Sequence, residues 1–242
     1  MKERGLLTAE DDFALKIRKL DMFFESGSEV REIFKGLDLS VEKGCFLLIR
    51  GPSGCGKSTL LKLIAGFLEP RAGEIFVEDQ LITQFTEREK MIYRNRRIGF
   101  VYQDFRLISC LNALENVMVP LLISGMNRKA ARQSAGKMLE CVGLTDRAGD
   151  FPGSLSGGQA QRTAIARAMV RKPFLLLADE PTASLDRQTS EEIWQILKLM
   201  CEQGTTLIAA SHDPAAEAAA DRVVTIRPDE RLLKPEKQLI RP

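Results

Sequence analysis

No stretch of this sequence approaches the roughly 18 to 20 consecutive apolar residues that a membrane-spanning helix requires. The longest, residues 117–123, is short and contains Pro120, so any membrane role is expected to come through a partner. Net charge is nearly absent too. At +2 it leaves no electrostatic footprint of the kind that nucleic-acid binders concentrate on one face, and no nucleic-acid partner is expected. The one basic cluster, Arg94, Arg96 and Arg97, is short and reads as a solvated helix face. The cysteines (Cys45, Cys55, Cys110, Cys141, Cys201) are odd in number and include no C-x-x-C pair. That pattern indicates neither a zinc site nor a disulfide framework, and they read as thiols in a reducing cytosol. The first twelve residues contain no apolar core of the kind a secretory signal needs. Internal repeats and low-complexity tracts are likewise missing. Histidine is the scarcest of the titratable residues, present once, as His212.

What is present is ordinary in bulk and specific in detail. With 242 residues, 28% charged and 44% hydrophobic, the chain is long enough to bury a substantial core and is not expected to be disordered. Residues 14–21 and 32–41 alternate as a small antiparallel sheet would. Residues 45–50, C-F-L-L-I-R, form a compact apolar run that suits a strand buried on both faces. A glycine-rich segment follows, then helical spacing up to Gly66. Strands are expected at 75–77 and 98–102, with a polar, partly helical connection between them. From 104 to about 151 the periodicity is helical and no strand is evident. Thereafter helix 156–171, strand 174–178, helix 187–203, strand 206–210, a short alanine-rich helix and strand 222–226 alternate, which implies a parallel sheet with crossover connections.

Three stretches carry chemistry. Gly51, Pro52, Ser53, Gly54, Cys55, Gly56, Lys57, Ser58 and Thr59 fit G-x-x-x-x-G-K-[ST] with one residue beyond it, between an expected strand and an expected helix. Its backbone N–H groups and the helix dipole would face a phosphate; Lys57 would reach the β- and γ-phosphates and Ser58 would hold Mg²⁺. A chance match in a chain of this length has a probability of roughly one in a hundred. Residues 174–180, F-L-L-L-A-D-E, put Asp179 and Glu180 at a strand tip. Such a pair is common at loop starts, but beside a phosphate loop Asp179 is placed to hold magnesium and Glu180 to activate a water. Residues 155–162, L-S-G-G-Q-A-Q-R, set Ser156 as a helix N-cap before two glycines; this reads either as a plain helix start or as a second anion site.

In this order the three stretches closely resemble the motifs of ATP-binding cassette ATPases, and the resemblance runs from about residue 13 to 227. It implies an α/β fold: a P-loop nucleotidase core with a mainly parallel sheet (about 13–103 and 158–227), an N-terminal antiparallel β subdomain, an inserted helical signature subdomain (about 104–157) and a tail (228–242). It implies ATP with Mg²⁺ and a homodimer that sandwiches two ATP molecules. Ser156, Gly157, Gly158 and Gln159 would contact the partner's ATP, Gln103 would touch Mg²⁺ and the attacking water, and Ser184, Leu185 and Asp186 would run along the dimer interface. Phe24 would stack on adenine, although Phe23 is adjacent and either ring suits a core. His212, which alone reads as a half-buried structural residue, matches the switch histidine that closes on the γ-phosphate.

Residues 94–122 resemble the bacterial branch that serves lipoprotein release and macrolide or peptide export, and Asp104, Phe105, Arg106 and Leu107 resemble its cell-division member. That branch implies an integral membrane permease subunit docking near Gln103 to Leu107, at the cytoplasmic face of the cell membrane; the length and the lack of a C-terminal regulatory domain agree with it. Ala160 departs from the polar residue usual after L-S-G-G-Q and is expected to alter interface electrostatics only. An ATPase of an envelope or cell-division complex is the alternative. A soluble cassette ATPase acting on nucleic acid or the ribosome is disfavoured, because only 98 residues lie between Lys57 and Ser156 and one cassette is present.

Overall fold

Residues 12–26, 29–226 and 233–238 are described by the computed structural model. Alternation of Leu15, Ile17, Leu20 and Met22 with charged neighbours forms strand β1 (Phe13–Ser26), and Phe34, Leu37, Leu39 and Val41 do the same for β2 (Glu29–Glu42). Both strands outrun the expected limits, because the register shifts at Arg18–Lys19 and again near Met22 break the alternation without ending the pairing. With β4 (Ala72–Val77) and β5 (Gln80–Leu81), after β3 in the chain, they form an antiparallel sheet in the order β2-β1-β4-β5.

The second sheet runs β10-β9-β3-β8-β7-β6. Strands β3 (Phe46–Arg50), β6 (Ile98–Val101), β7 (Leu175–Asp179), β8 (Thr206–Ala210) and β9 (Arg222–Ile226) are parallel. Strand β10 (Leu233–Gln238) pairs antiparallel with β9 and lies within the expected tail. It holds Pro235, which an edge strand tolerates and an alternation pattern hides. The rest of the tail, residues 1–11 and residue 227 lie outside the described residues.

In β3, Phe46 and Leu48 face one apolar cluster while Leu47 and Ile49 face another, so the strand is buried on both sides. The first cluster continues without a break through Val101 and Ile165 into the helices that follow β6. Those are α3 (Ala113–Ile123) and α4 (Arg128–Cys141), leading to α5 (Gly157–Met169). Helices α1 (Lys57–Ile64), α2 (Glu87–Arg97), α6 (Arg187–Glu202) and α7 (Pro214–Ala219) complete the set. No described helix is long and apolar enough to cross a membrane.

The expected solvated face of α2 holds for Arg96 and Arg97, which are exposed, Arg97 pairing with Glu78 at 3.1 Å. It is corrected for Arg94, which is half-buried, donates to the Gly66 carbonyl at 2.7 Å and lies over the Phe67 ring. Cationic groups in the last turn of a helix find neighbouring acceptors, which a linear reading does not supply.

Topology places the site. Strands β3, β8 and β7 are adjacent and parallel, so the segments leaving their carboxyl ends meet: the glycine-rich loop, Ser211–His212 and Asp179–Glu180.

Candidate functional site

Gly56 ends the glycine-rich loop at φ 108°, a left-handed conformation, where a Cβ would lie 2.5 Å from Ile33 Cγ2 and 2.9 Å from Phe34 Cζ. Only glycine fits, because the loop rests directly on β2. Lys57 opens α1 and is nearly buried. Its Nζ donates to the Gly51 carbonyl at 2.8 Å and the Pro52 carbonyl at 3.3 Å, and stands 3.6 Å from Glu180 Oε1. It also lies 2.8 Å from His212 Nε2. An ammonium has no lone pair, so Nε2 accepts and the ring proton sits on Nδ1. Ser58 Oγ donates to Asp179 Oδ1 at 2.8 Å.

Glu180 adopts φ 46°, unusual for a residue with a side chain. Its N–H donates to the Ala210 carbonyl at 2.9 Å, which holds the strained turn against β8. Its carboxylate reaches within 3.5 Å of His212 Nε2, and the imidazole is about half exposed (49%). Lys57, Glu180 and His212 therefore form one cluster, with Ser58 and Asp179 beside it.

The residue after the histidine anchors this turn. Asp213 caps α7, accepting from the Ala215 N–H at 2.9 Å. It also accepts from Thr182 Oγ1 at 2.7 Å and from Trp194 Nε1 at 2.9 Å. Burial pushes its pKa up, but the hydrogen bonds from Thr182, Trp194 and the backbone outweigh burial and hold the carboxyl below its ordinary range. Trp194 in turn stacks on Phe46 with ring centroids 5.8 Å apart. Neither Trp194 nor Thr182 was legible as part of the site; a tryptophan on the apolar face of a helix reads as core.

Two clefts border the cluster. One of about 350 Å³ is lined by Phe24, Arg31, Lys57, Ser58, Thr59 and Glu180 among others. Phe24 is 41% exposed there, whereas Phe23 lies under the Arg71 guanidinium at 4.8 Å. The other, about 680 Å³, is lined by Ser53, Gln103, Glu180, Leu185 and His212 among others. Gln103 follows β6, and the loop beyond it is held in an unusual shape: Phe105 and Arg106 have φ 56° and 48°. Arg167 of α5 clamps it, donating from Nη2 to the Phe105 carbonyl at 2.8 Å and from Nη1 to the Arg106 carbonyl at 2.5 Å.

Ser156, Gly157, Gly158 and Gln159 line neither cleft. Within one chain their polar groups cap α5: Ser156 Oγ accepts from the Gln159 N–H at 3.3 Å, and Gln159 Oε1 accepts from the Ser156 N–H at 2.9 Å. A Cβ on Gly158 would lie 2.4 Å from Thr189 Cγ2, so this glycine admits α6 rather than serving ligand approach alone. Asp186 caps α6, accepting from the Thr189 N–H at 3.0 Å and the Thr189 hydroxyl at 2.6 Å. These bonds lower its pKa. Ser184 is exposed. Ala160 is buried (6%), which corrects its expected effect on interface electrostatics: its methyl packs inside the chain.

The site fits the groups expected of it. Ser58 and Asp179 present hard oxygen donors side by side, as Mg²⁺ prefers. No cluster of three or more His, Cys, Asp or Glu able to hold a metal occurs among the described residues. A magnesium ion here would therefore take most of its remaining ligands from phosphates and water.

The family model of the ABC transporter matches residues 34–183. An ABC transporter ATP-binding protein of Mycobacterium tuberculosis is 42% identical over 215 residues, which span 89% of this chain but only 65% of that protein. The lipoprotein-releasing system ATP-binding protein LolD 1 of Rhodospirillum rubrum is 42% identical over 216 residues, 88% of this chain and 95% of that one. Among solved structures, the dimeric post-hydrolysis ATP-binding cassette MJ0796, bound to ADP and Pi, matches with a TM-score of 0.86 at 34% identity. The match covers 94% of this chain and 99% of that one.

Proposed function

This chain belongs to the ABC transporter family as an ATP-binding cassette, and on that premise we propose that it binds ATP with Mg²⁺, hydrolyses it, and dimerises around it to drive a membrane permease. The observation that carries the proposal is the cluster of Lys57, Glu180 and His212 at the carboxyl ends of three adjacent strands. Lys57 and the loop N–H groups would bind the phosphates, and Ser58 and Asp179 would hold Mg²⁺, which neutralises charge on the phosphoryl oxygens when bound. Glu180 is placed to orient and deprotonate water, and Gln103, on the rim of the same cleft, to position it. His212 is placed beside both Glu180 and Lys57. To donate from Nε2 to a phosphate, the ring must give up the lysine it now accepts from.

The signature residues Ser156, Gly157, Gly158 and Gln159 would complete the partner's site, with Ser184, Leu185 and Asp186 along the interface. The absence of Ser156, Gly157, Gly158 and Gln159 from both clefts of their own chain supports action in trans, and the dimeric state of MJ0796 agrees with it. Phe24 would carry the adenine. The division into a core and a helical subdomain of about 104–157 rests on α3 and α4 lying between β6 and α5 without an intervening strand. The permease would dock near Gln103 to Leu107, from the cytoplasmic face of the membrane. Similarity to LolD 1 supports a role in lipoprotein release or a related export process.

Glu180→Gln tests the proposal: phosphate release should fall by about 10² to 10⁴-fold, while ATP is still bound and a dimer accumulates by light scattering. Unchanged phosphate release with no dimer would refute it. The transport role is tested separately, by whether an integral membrane protein co-purifies with this chain from detergent-solubilised membranes.

A further inference from the structure

We propose that Arg31 is a second cationic contact for the phosphate chain of a nucleoside di- or triphosphate, opposite Lys57 at the mouth of the loop; this rests on the ATP-site reading above. Arg31 pairs directly with Phe24 across the β1–β2 ladder, so both side chains leave the same face of the sheet. Both line the 350 Å³ cleft with Lys57 and Ser58. Its Nη2 donates to the Gly54 carbonyl at 2.9 Å, which fixes the guanidinium against the loop. The remaining guanidinium N–H groups have no partner among the described residues.

Charge balance favours the same role. Lys57 is already engaged by two carbonyls, His212 and Glu180, and Asp179 lies just behind Ser58. Of the charged residues that line the 350 Å³ cleft, Lys57 and Glu180 offset each other, so Arg31 is what leaves its lining net positive for a polyanion. The added cation is the residue type whose planar fork suits phosphate oxygens. Nothing in the phosphate-loop motif signals this residue, which comes 20 positions earlier on a solvent-facing strand.

Arg31→Met keeps the apolar stem and removes the charge, and at this exposed position the melting temperature should not change. Titration calorimetry with Mg²⁺ should show ATP and ADP binding about tenfold more weakly than to the unaltered chain, the loss of one charge-assisted hydrogen bond. Adenosine, measured by competition, should change by less than about twofold. The loss for ATP should shrink as KCl rises from about 0.05 M to about 0.5 M, because screening weakens the charge–phosphate attraction. Arg31→Lys should recover part of the affinity. Undiminished ATP affinity in Arg31→Met would overturn the proposal. So would an equal loss for adenosine, or a loss insensitive to salt, either of which would make Arg31 only a strut for Gly54. If Lys57→Ala abolishes ATP binding while Arg31→Met leaves it unchanged, the nucleotide site stands and only Arg31 is misassigned; if the unaltered chain binds no ATP, both readings fail.

Discussion

The phosphate-loop half of the candidate site and the signature half put their polar side chains to different ends. In the first, Lys57, Glu180 and His212 meet one another at the ends of three strands, and beyond the two loop carbonyls that Lys57 binds, their polar groups engage one another beside the clefts. In the second, Ser156, Gln159 and Asp186 are engaged in capping α5 and α6, and Gly158 admits a neighbouring helix. One half is brought together by tertiary structure beside two clefts. The other is already satisfied inside its own chain, so any work it does on a nucleotide is added to a folding role.

The contrast predicts opposite signatures for single substitutions. His212→Ala should leave folding and ATP binding nearly intact and reduce turnover by roughly 10 to 10³-fold, the scale of a lost transition-state hydrogen bond. A large drop in melting temperature instead would return His212 to the structural role that its half-buried position after a strand first indicates. Gly158→Ala should do the reverse. Its new methyl meets Thr189 Cγ2, on a short β-branched side chain already bound to Asp186, so it cannot simply turn away. A loss of about 1–3 kcal/mol is expected, the range for overpacking. Thr189→Ser, which deletes that methyl and keeps the hydroxyl, should restore most of the stability in the double variant. If Gly158→Ala melts normally yet blocks ATP-dependent dimerisation, the glycine serves the ligand and the contrast collapses.

The same contrast explains what was legible in the sequence. The alternating elements, the glycine-rich loop and the acidic strand tip were readable because each depends on local pattern: apolar runs, spacing and a forced left-handed glycine. Strand β10 was not, since Pro235 interrupts any alternation and its pairing with β9 is a long-range choice. Arg31, Arg167, Thr182 and Trp194 were invisible for a related reason. Each acts through a carbonyl, a carboxylate or a cleft contributed by a remote segment, as when Arg167 reaches Phe105 and Arg106 from 62 and 61 positions away. Ala160 was misread because helix periodicity gives a face but not which neighbour covers it.

Asp213 joins the two halves, and the smallest effect is expected there. It follows His212, and it accepts from Thr182, which leads toward Ser184, Leu185 and Asp186. Its folded pKa lies below the unfolded value of a carboxyl group, so its contribution to stability is fully present above about pH 4. That contribution is lost as pH falls through the folded pKa, because protonation removes charge from the acceptor that Thr182, Trp194 and the Ala215 N–H share. Asp213→Asn should therefore lower the melting temperature by a constant amount from neutral pH down to about pH 5, and the gap should narrow below about pH 4. Thermal melts across that range read it directly. A gap that persists undiminished at low pH would mean that the geometry of the cap, not the carboxylate charge, ties the histidine turn to the interface loop.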